Sequence, residues 1–135
     1  MIQRIQSLYL FTVTVLFASL FFTNFVAANN VEYGVTSSVY MIILTAAIAL
    51  LSLGTIFCFN NRTLQVRISI FNMLLMLGWY VMAAYVTYKD LGTPFWCCDM
   101  KIVLTFPLIS MILDYLAIRG ILKDDALVKS YDRLR

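Results

Sequence analysis

The sequence predicts an all-α polytopic membrane protein: an up-down bundle of four transmembrane helices with a short C-terminal amphipathic helix. Three observations carry this. Of the 135 residues, 62% are hydrophobic and 13% charged, against roughly 25% charged in a soluble domain. So few polar groups could not cover a soluble core of this size. Four apolar runs are separated by short polar links, and each run, at about twenty residues, is long enough to cross roughly 30 Å of hydrocarbon. The basic residues are also sorted by segment end. Arg4, Arg62, Arg67, Arg119, Lys123, Lys129, Arg133 and Arg135 fall on one side, and only Lys89 and Lys101 on the other. Over short loops this bias marks the cytoplasmic side and places both termini there.

The first span is read at 7–28. Arg4, the apolar stretch and Val26-Ala27-Ala28 copy a signal-peptide layout, but the run has membrane-span length and is read as a retained helix. A polar link through Gly34 and Thr36-Ser37-Ser38 leads to the second span, 39–59, which has no charge. Ser37 or Ser38 can cap it. Thr45, Ala46, Ala49 and Ser52 line it with small residues, which favour close helix approach in lipid. After the turn at Asn60-Asn61-Arg62-Thr63 comes the third span, 65–88. Gly92 and Pro94 end it. Phe95 and Trp96 stand where an interfacial aromatic belt belongs. The fourth span is 102–122, bent by Pro107, and a cytoplasmic tail fills 123–135. Residues 1–135 make a single domain.

Three stretches carry a resemblance: MIQRIQSLYL at the start, NRTLQVRISIFNMLLML in the middle and AIRGILKDDALVKSYDRLR at the end. They resemble, end to end, a bacterial family of small four-helix integral membrane proteins catalogued as a domain of unknown function. The resemblance implies a multi-pass protein of the bacterial inner membrane and keeps MIQRIQ in the mature chain. It transfers no activity and no functional residue.

Chemistry-bearing residues are few. There is no histidine, so the commonest metal ligand and neutral-pH acid/base group is missing. Cys58 stands alone, and Cys97 and Cys98 are adjacent, which gives neither zinc-site nor C-x-x-C spacing; two free thiols or a bridge to a partner chain fit them. No metal, cofactor or catalytic set is expected, and the protein is read as no enzyme. Asp114 is an acid inside an apolar helix, where carboxyls face the bundle interior and find partners. Arg119 follows five residues later, so Asp114 lies only about 7–8 Å inside the cytoplasmic end. Asn72 sits at a matching distance from Arg67. The expectation is an intramembrane polar layer of Asp114, Asn72 and Ser69, with Arg67 reaching inward, acting as interhelical glue or, alternatively, as an ion or proton site. In the tail, Leu127, Tyr131 and Leu134 fall on one helical face, and Lys129, Arg133 and Arg135 suit the later turns of that helix. That surface is read as resting on anionic lipid headgroups or docking a partner.

The functional expectation is a small non-enzymatic accessory or assembly subunit of a larger inner-membrane complex. The alternative is a small oligomeric transporter or ion-conducting protein using Asp114 and Asn72. Its partners are the lipid bilayer and other membrane-protein subunits, with a homo-oligomer left open. The charge pattern points to the membrane and away from nucleic acid.

Overall fold

A computed structural model describes residues 2–28, 30–92, 94, 96 and 99–134. Four long helices form the chain's body: α1 (Ile2–Ser19), α2 (Val39–Phe57), α3 (Arg62–Leu91) and α4 (Phe106–Arg133). Each is long and apolar enough to cross a membrane. Consecutive helices pack on one another and α4 closes against α1, so the bundle is a ring in sequence order. Gln6 near the start of α1 bonds Asp124 near the end of α4, so both termini lie at one end.

The buried stripes explain the packing. On α2 they are Met41, Thr45, Ile48, Ser52 and Thr55; on α3, Gln65, Ser69, Asn72, Met76, Trp79, Ala83 and Val86. Steps of three and four alternate, a spacing of 3.5 that keeps one face turned to antiparallel neighbours at a shallow angle. The opposite faces expose Ile43, Leu50, Phe57, Phe71 and Leu74, as a surface bathed in lipid tails requires.

The end away from the termini departs from the predicted fold. The first helix does not run to residue 28. It stops at Ser19, passes through a 3-10 turn at Leu20–Phe22 and becomes a strand. Strands β1 (Asn24–Ala28), β2 (Val31–Gly34) and β3 (Asp99–Met100) form a small antiparallel sheet in the order β2-β1-β3. Its cause is local: Ser19 Oγ and Thr23 Oγ1 donate to the carbonyls of Leu16 and Ser19, competing for the groups that would continue the helix. Asn30, in the β1–β2 turn, takes φ 64°, a left-handed conformation that asparagine tolerates. Phe25 and Val26 then point into the bundle and are buried.

Three further corrections concern helix ends. Neither Ser37 nor Ser38 caps α2 through its side chain; Ser37 Oγ instead accepts from Gly34 N–H at 3.2 Å. Pro107 does not bend the fourth helix, because residues Ile102–Thr105 form a 3-10 turn and α4 begins at Phe106. Proline in the first turn loses no hydrogen bond. The tail is not a separate amphipathic helix, since α4 continues unbroken to Arg133. Gly92 does end α3, at φ 65° with its N–H on the Tyr88 carbonyl, the left-handed cap that favours glycine. Phe95, Cys97, Cys98 and Arg135 lie outside the described residues.

Polar groups tie the sheet together on its outer side. Glu32 on β2 accepts from Lys101 Nζ at 2.8 Å and from Asn24 Nδ2 on β1 at 2.6 Å. These two donors, Lys101 first, hold the Glu32 carboxyl below the usual glutamate range. A carboxyl lowered on folding adds stability above its unfolded value and loses it as pH falls through the folded value. Both side chains are exposed, so the contribution is small. The expected result is a Glu32 side-chain NMR titration with a midpoint below that of an ordinary glutamate, moving back up in Lys101→Met; an unmoved midpoint would break the assignment.

Candidate functional site

The interior divides into two halves. Toward the sheet it is apolar and aromatic: Phe17, Leu20, Phe25, Val35, Met41 and Trp79 are all buried in one cluster. Trp79 anchors it, meeting Phe25 edge-on at 5.4 Å and Tyr80 at 5.6 Å. Its indole N–H donates to Thr45 Oγ1 at 3.0 Å, while that hydroxyl donates to the Met41 carbonyl. Toward the termini the buried residues turn polar: Gln6, Thr14, Ser52, Thr55, Gln65, Ser69, Asn72 and Asp114.

The centre of the polar half is a belt built from all four helices. Thr45 and Trp79 fix the register of α2 on α3. Ser52 comes seven residues after Thr45, and Asn72 seven before Trp79, so in antiparallel helices these two stand level. Ser52 Oγ meets Thr14 Oγ1 of α1 at 2.8 Å. Both hydroxyls also lie within reach of their own helix carbonyls, so one donates across the interface and the other keeps its local bond. Asn72 Nδ2 donates to Asp114 Oδ2 of α4 at 3.1 Å. Thr14, Ser52, Asn72 and Asp114 thus form one layer, each from a different helix.

The layer is incompletely satisfied. Asn72 Oδ1, Asp114 Oδ1, Ser69 Oγ and Ser110 Oγ are buried without a hydrogen-bond partner. Asp114 and Asn72 are 0% and 1% exposed. Orphaned buried acceptors are costly in a low-dielectric interior.

Of the sequence-predicted residues, Asp114 and Asn72 touch, and Ser69 is buried one turn from Asn72. Arg67 does not reach inward; it is exposed. Two residues from Gln65 and two from Ser69, it lies about 200° round the helix from that stripe. It lines a surface cavity of about 280 Å³ between α3 and α4 with Arg62, Asp125 and Lys129. Thr14, Ser110, Gln65 and the Gln6–Asp124 pair were not singled out from the sequence. In the tail, Leu127, Tyr131 and Leu134 are exposed by 45%, 71% and 85%; the Lys129–Asp125 ion pair lies two residues from Leu127 on either side, toward the opposite face of the helix, and Arg133 is exposed. Among the described residues no cluster of His, Cys, Asp or Glu could hold a metal ion.

Four apolar helices around a buried polar belt define a small helical-bundle membrane protein. The family model for the domain of unknown function DUF4293 matches residues 2–134, and the chain belongs to that family. No match was found among curated proteins or among solved structures.

Proposed function

We propose that this protein is a non-enzymatic accessory or assembly subunit of a larger complex in the bacterial inner membrane, with both termini cytoplasmic. The observation that carries the reading is the unbroken α4. It has 28 residues, whereas roughly 20 suffice to cross the hydrocarbon. Roughly its last two turns therefore continue along the direction of the span into the cytoplasm. A helix lying flat on headgroups needs a break at the membrane surface, and α4 has none there. Leu127, Tyr131 and Leu134 follow one another along one face, while Lys129 and Arg133 lie toward the other side of the helix. This is the pattern of a helix seated by its apolar face in a groove on a partner subunit.

The transport reading has weaker support. A conducting path needs polar groups through the whole bundle, and beyond the belt Phe17, Met76 and Trp79 fill the interior.

The test is a mild-detergent pull-down from native membranes through an N-terminal tag, with a photocrosslinker at position 131. The full chain should recover a defined partner that also crosslinks. Deleting residues 126–135 should lose that partner and keep the bundle folded, because Asp124 remains to accept from Gln6. Recovery of the chain alone, or a partner retained without the tail, would overturn the docking role.

A further inference from the structure

The two orphaned oxygens at the centre of the belt belong to the same two planar groups that already share one bond. Asn72 Nδ2 donates to Asp114 Oδ2, which leaves Asn72 Oδ1 and Asp114 Oδ1 as the second edge of each group. As long as the carboxyl is ionised both are acceptors, and they cannot bond each other. A primary amide and a carboxylic acid, by contrast, match at both edges. One proton on Asp114 Oδ1 turns that atom into a donor toward Asn72 Oδ1, and the terminal torsions that bring the edges together are soft.

We propose that Asp114 and Asn72 form a proton-binding site: the Asp114 carboxyl takes a proton from water onto Oδ1 and shares it with Asn72 Oδ1, closing an acid–amide ring that latches α3 to α4.

The surroundings favour a proton over the other ways of neutralising the charge. Helices α1 and α3 pack against α4. The charges among the described residues of α1 and α3 are Arg4, Arg62, Arg67, Lys89 and Asp90, and the side chains of all five lie at helix ends. On α4 the nearest charge, Arg119, is exposed. The tyrosines of α1 and α3, Tyr9, Tyr80, Tyr85 and Tyr88, are half-buried or exposed, and Tyr80 donates to the Leu104 carbonyl. No basic side chain among the described residues pairs with Asp114.

A metal ion fares no better. Hard cations such as calcium and magnesium take about six or more oxygens around one point. Ser110 stands four residues before Asp114 and Ser69 three before Asn72. In antiparallel helices these steps run in opposite directions, which separates the two hydroxyls by roughly 10 Å along the axis. Thr14 and Ser52 are bonded to each other. That leaves Asn72 Oδ1 and Asp114 Oδ1, on two groups already bonded to each other: two ligands for an ion but a full complement for one proton.

The chain makes the test clean. Of its acids, Asp90, Asp99, Asp132 and Glu32 are exposed and Asp124 and Asp125 half-buried; Asp114 is the buried one. The full-length protein, labelled with carbon-13 at the aspartate carboxyl and placed in phosphatidylcholine vesicles, is measured by infrared spectroscopy at neutral pH. The expected result is a carboxylic-acid C=O band that responds to the label. It should be absent from Asp114→Asn, shift to higher wavenumber in Asn72→Leu as the shared bond is lost, and stay unchanged when sodium replaces potassium. If Asp114→Asn does not fold, the wild-type band and its shift in Asn72→Leu decide. Absence of an acid band in the wild type overturns the proposal. So does a band that ignores Asn72, and so does one that disappears on adding sodium, which would mark a cation site.

Discussion

Replacing Trp79 by alanine is expected to lower bundle stability by roughly 3 kcal/mol, the low end of the range for truncating a buried aromatic. The low end applies because the membrane supplies no hydrophobic drive between helices, so the loss is one of packing. Trp79 fills the apolar half of the interior, where Phe25 of the sheet and Tyr80 meet its ring. No neighbour can collapse into the space without pulling β1 inward. The hydrogen bond adds little to the cost, because Thr45 keeps its own bond to the Met41 carbonyl when the indole is gone. Trp79→Phe, which keeps most of the ring, should cost less than half as much. Circular dichroism during titration of detergent-solubilised protein with SDS reads both. A loss below about 1 kcal/mol for the alanine variant would mean that the site refills, and that Trp79 does not pin the sheet to the bundle.

The four helices were legible because insertion into lipid depends on summed apolarity over about twenty residues, which composition reports directly. The lateral arrangement was harder to read. In a soluble helix the buried stripe is the apolar one; here the buried stripe of α2 holds Thr45, Ser52 and Thr55 and its lipid face holds Ile43, Leu50 and Phe57. The usual periodic signal is therefore inverted, and polar residues mark the inside. Asn72 and Asp114 stood out because each is strongly polar in an apolar run, and equal depth was enough to bring them together. Thr14 and Ser52 are mildly polar and gave no such contrast. Arg67 was misplaced because depth was counted without angle: it has the right height and the wrong face. The sheet was missed for a different reason. The apolar run does not stop where helix gives way to strand, since Phe25 and Val26 are buried in either form. Only the hydroxyls of Ser19 and Thr23, competing for the last helical carbonyls, mark the change.

The belt yields the second large effect, and it takes the form of a cycle. Asn72→Leu removes the donor of Asp114 and leaves a buried carboxyl without a partner, at a cost of roughly 1–3 kcal/mol. Asp114→Leu strands the Asn72 amide in the same way and should cost a similar amount, about 1–3 kcal/mol. The double variant replaces both polar groups by apolar ones of comparable bulk, and removing both members of a buried pair is often nearly neutral. It should unfold within about 1 kcal/mol of the wild type, giving a coupling energy of roughly 2 kcal/mol or more. SDS titration of the four proteins measures the cycle. Additive losses would show that the two side chains do not act as a pair, which would remove the basis for a shared proton. The double variant also separates the proton site from the docking surface. Its belt has no acid left to protonate, so the carboxylic-acid band should be gone, yet the exposed face of α4 beyond Asp124 is untouched. Partner recovery at wild-type levels would place assembly in the extension of α4 alone. Partner loss from a folded double variant would instead mean that the latch between α3 and α4 sets the geometry in which that extension is presented.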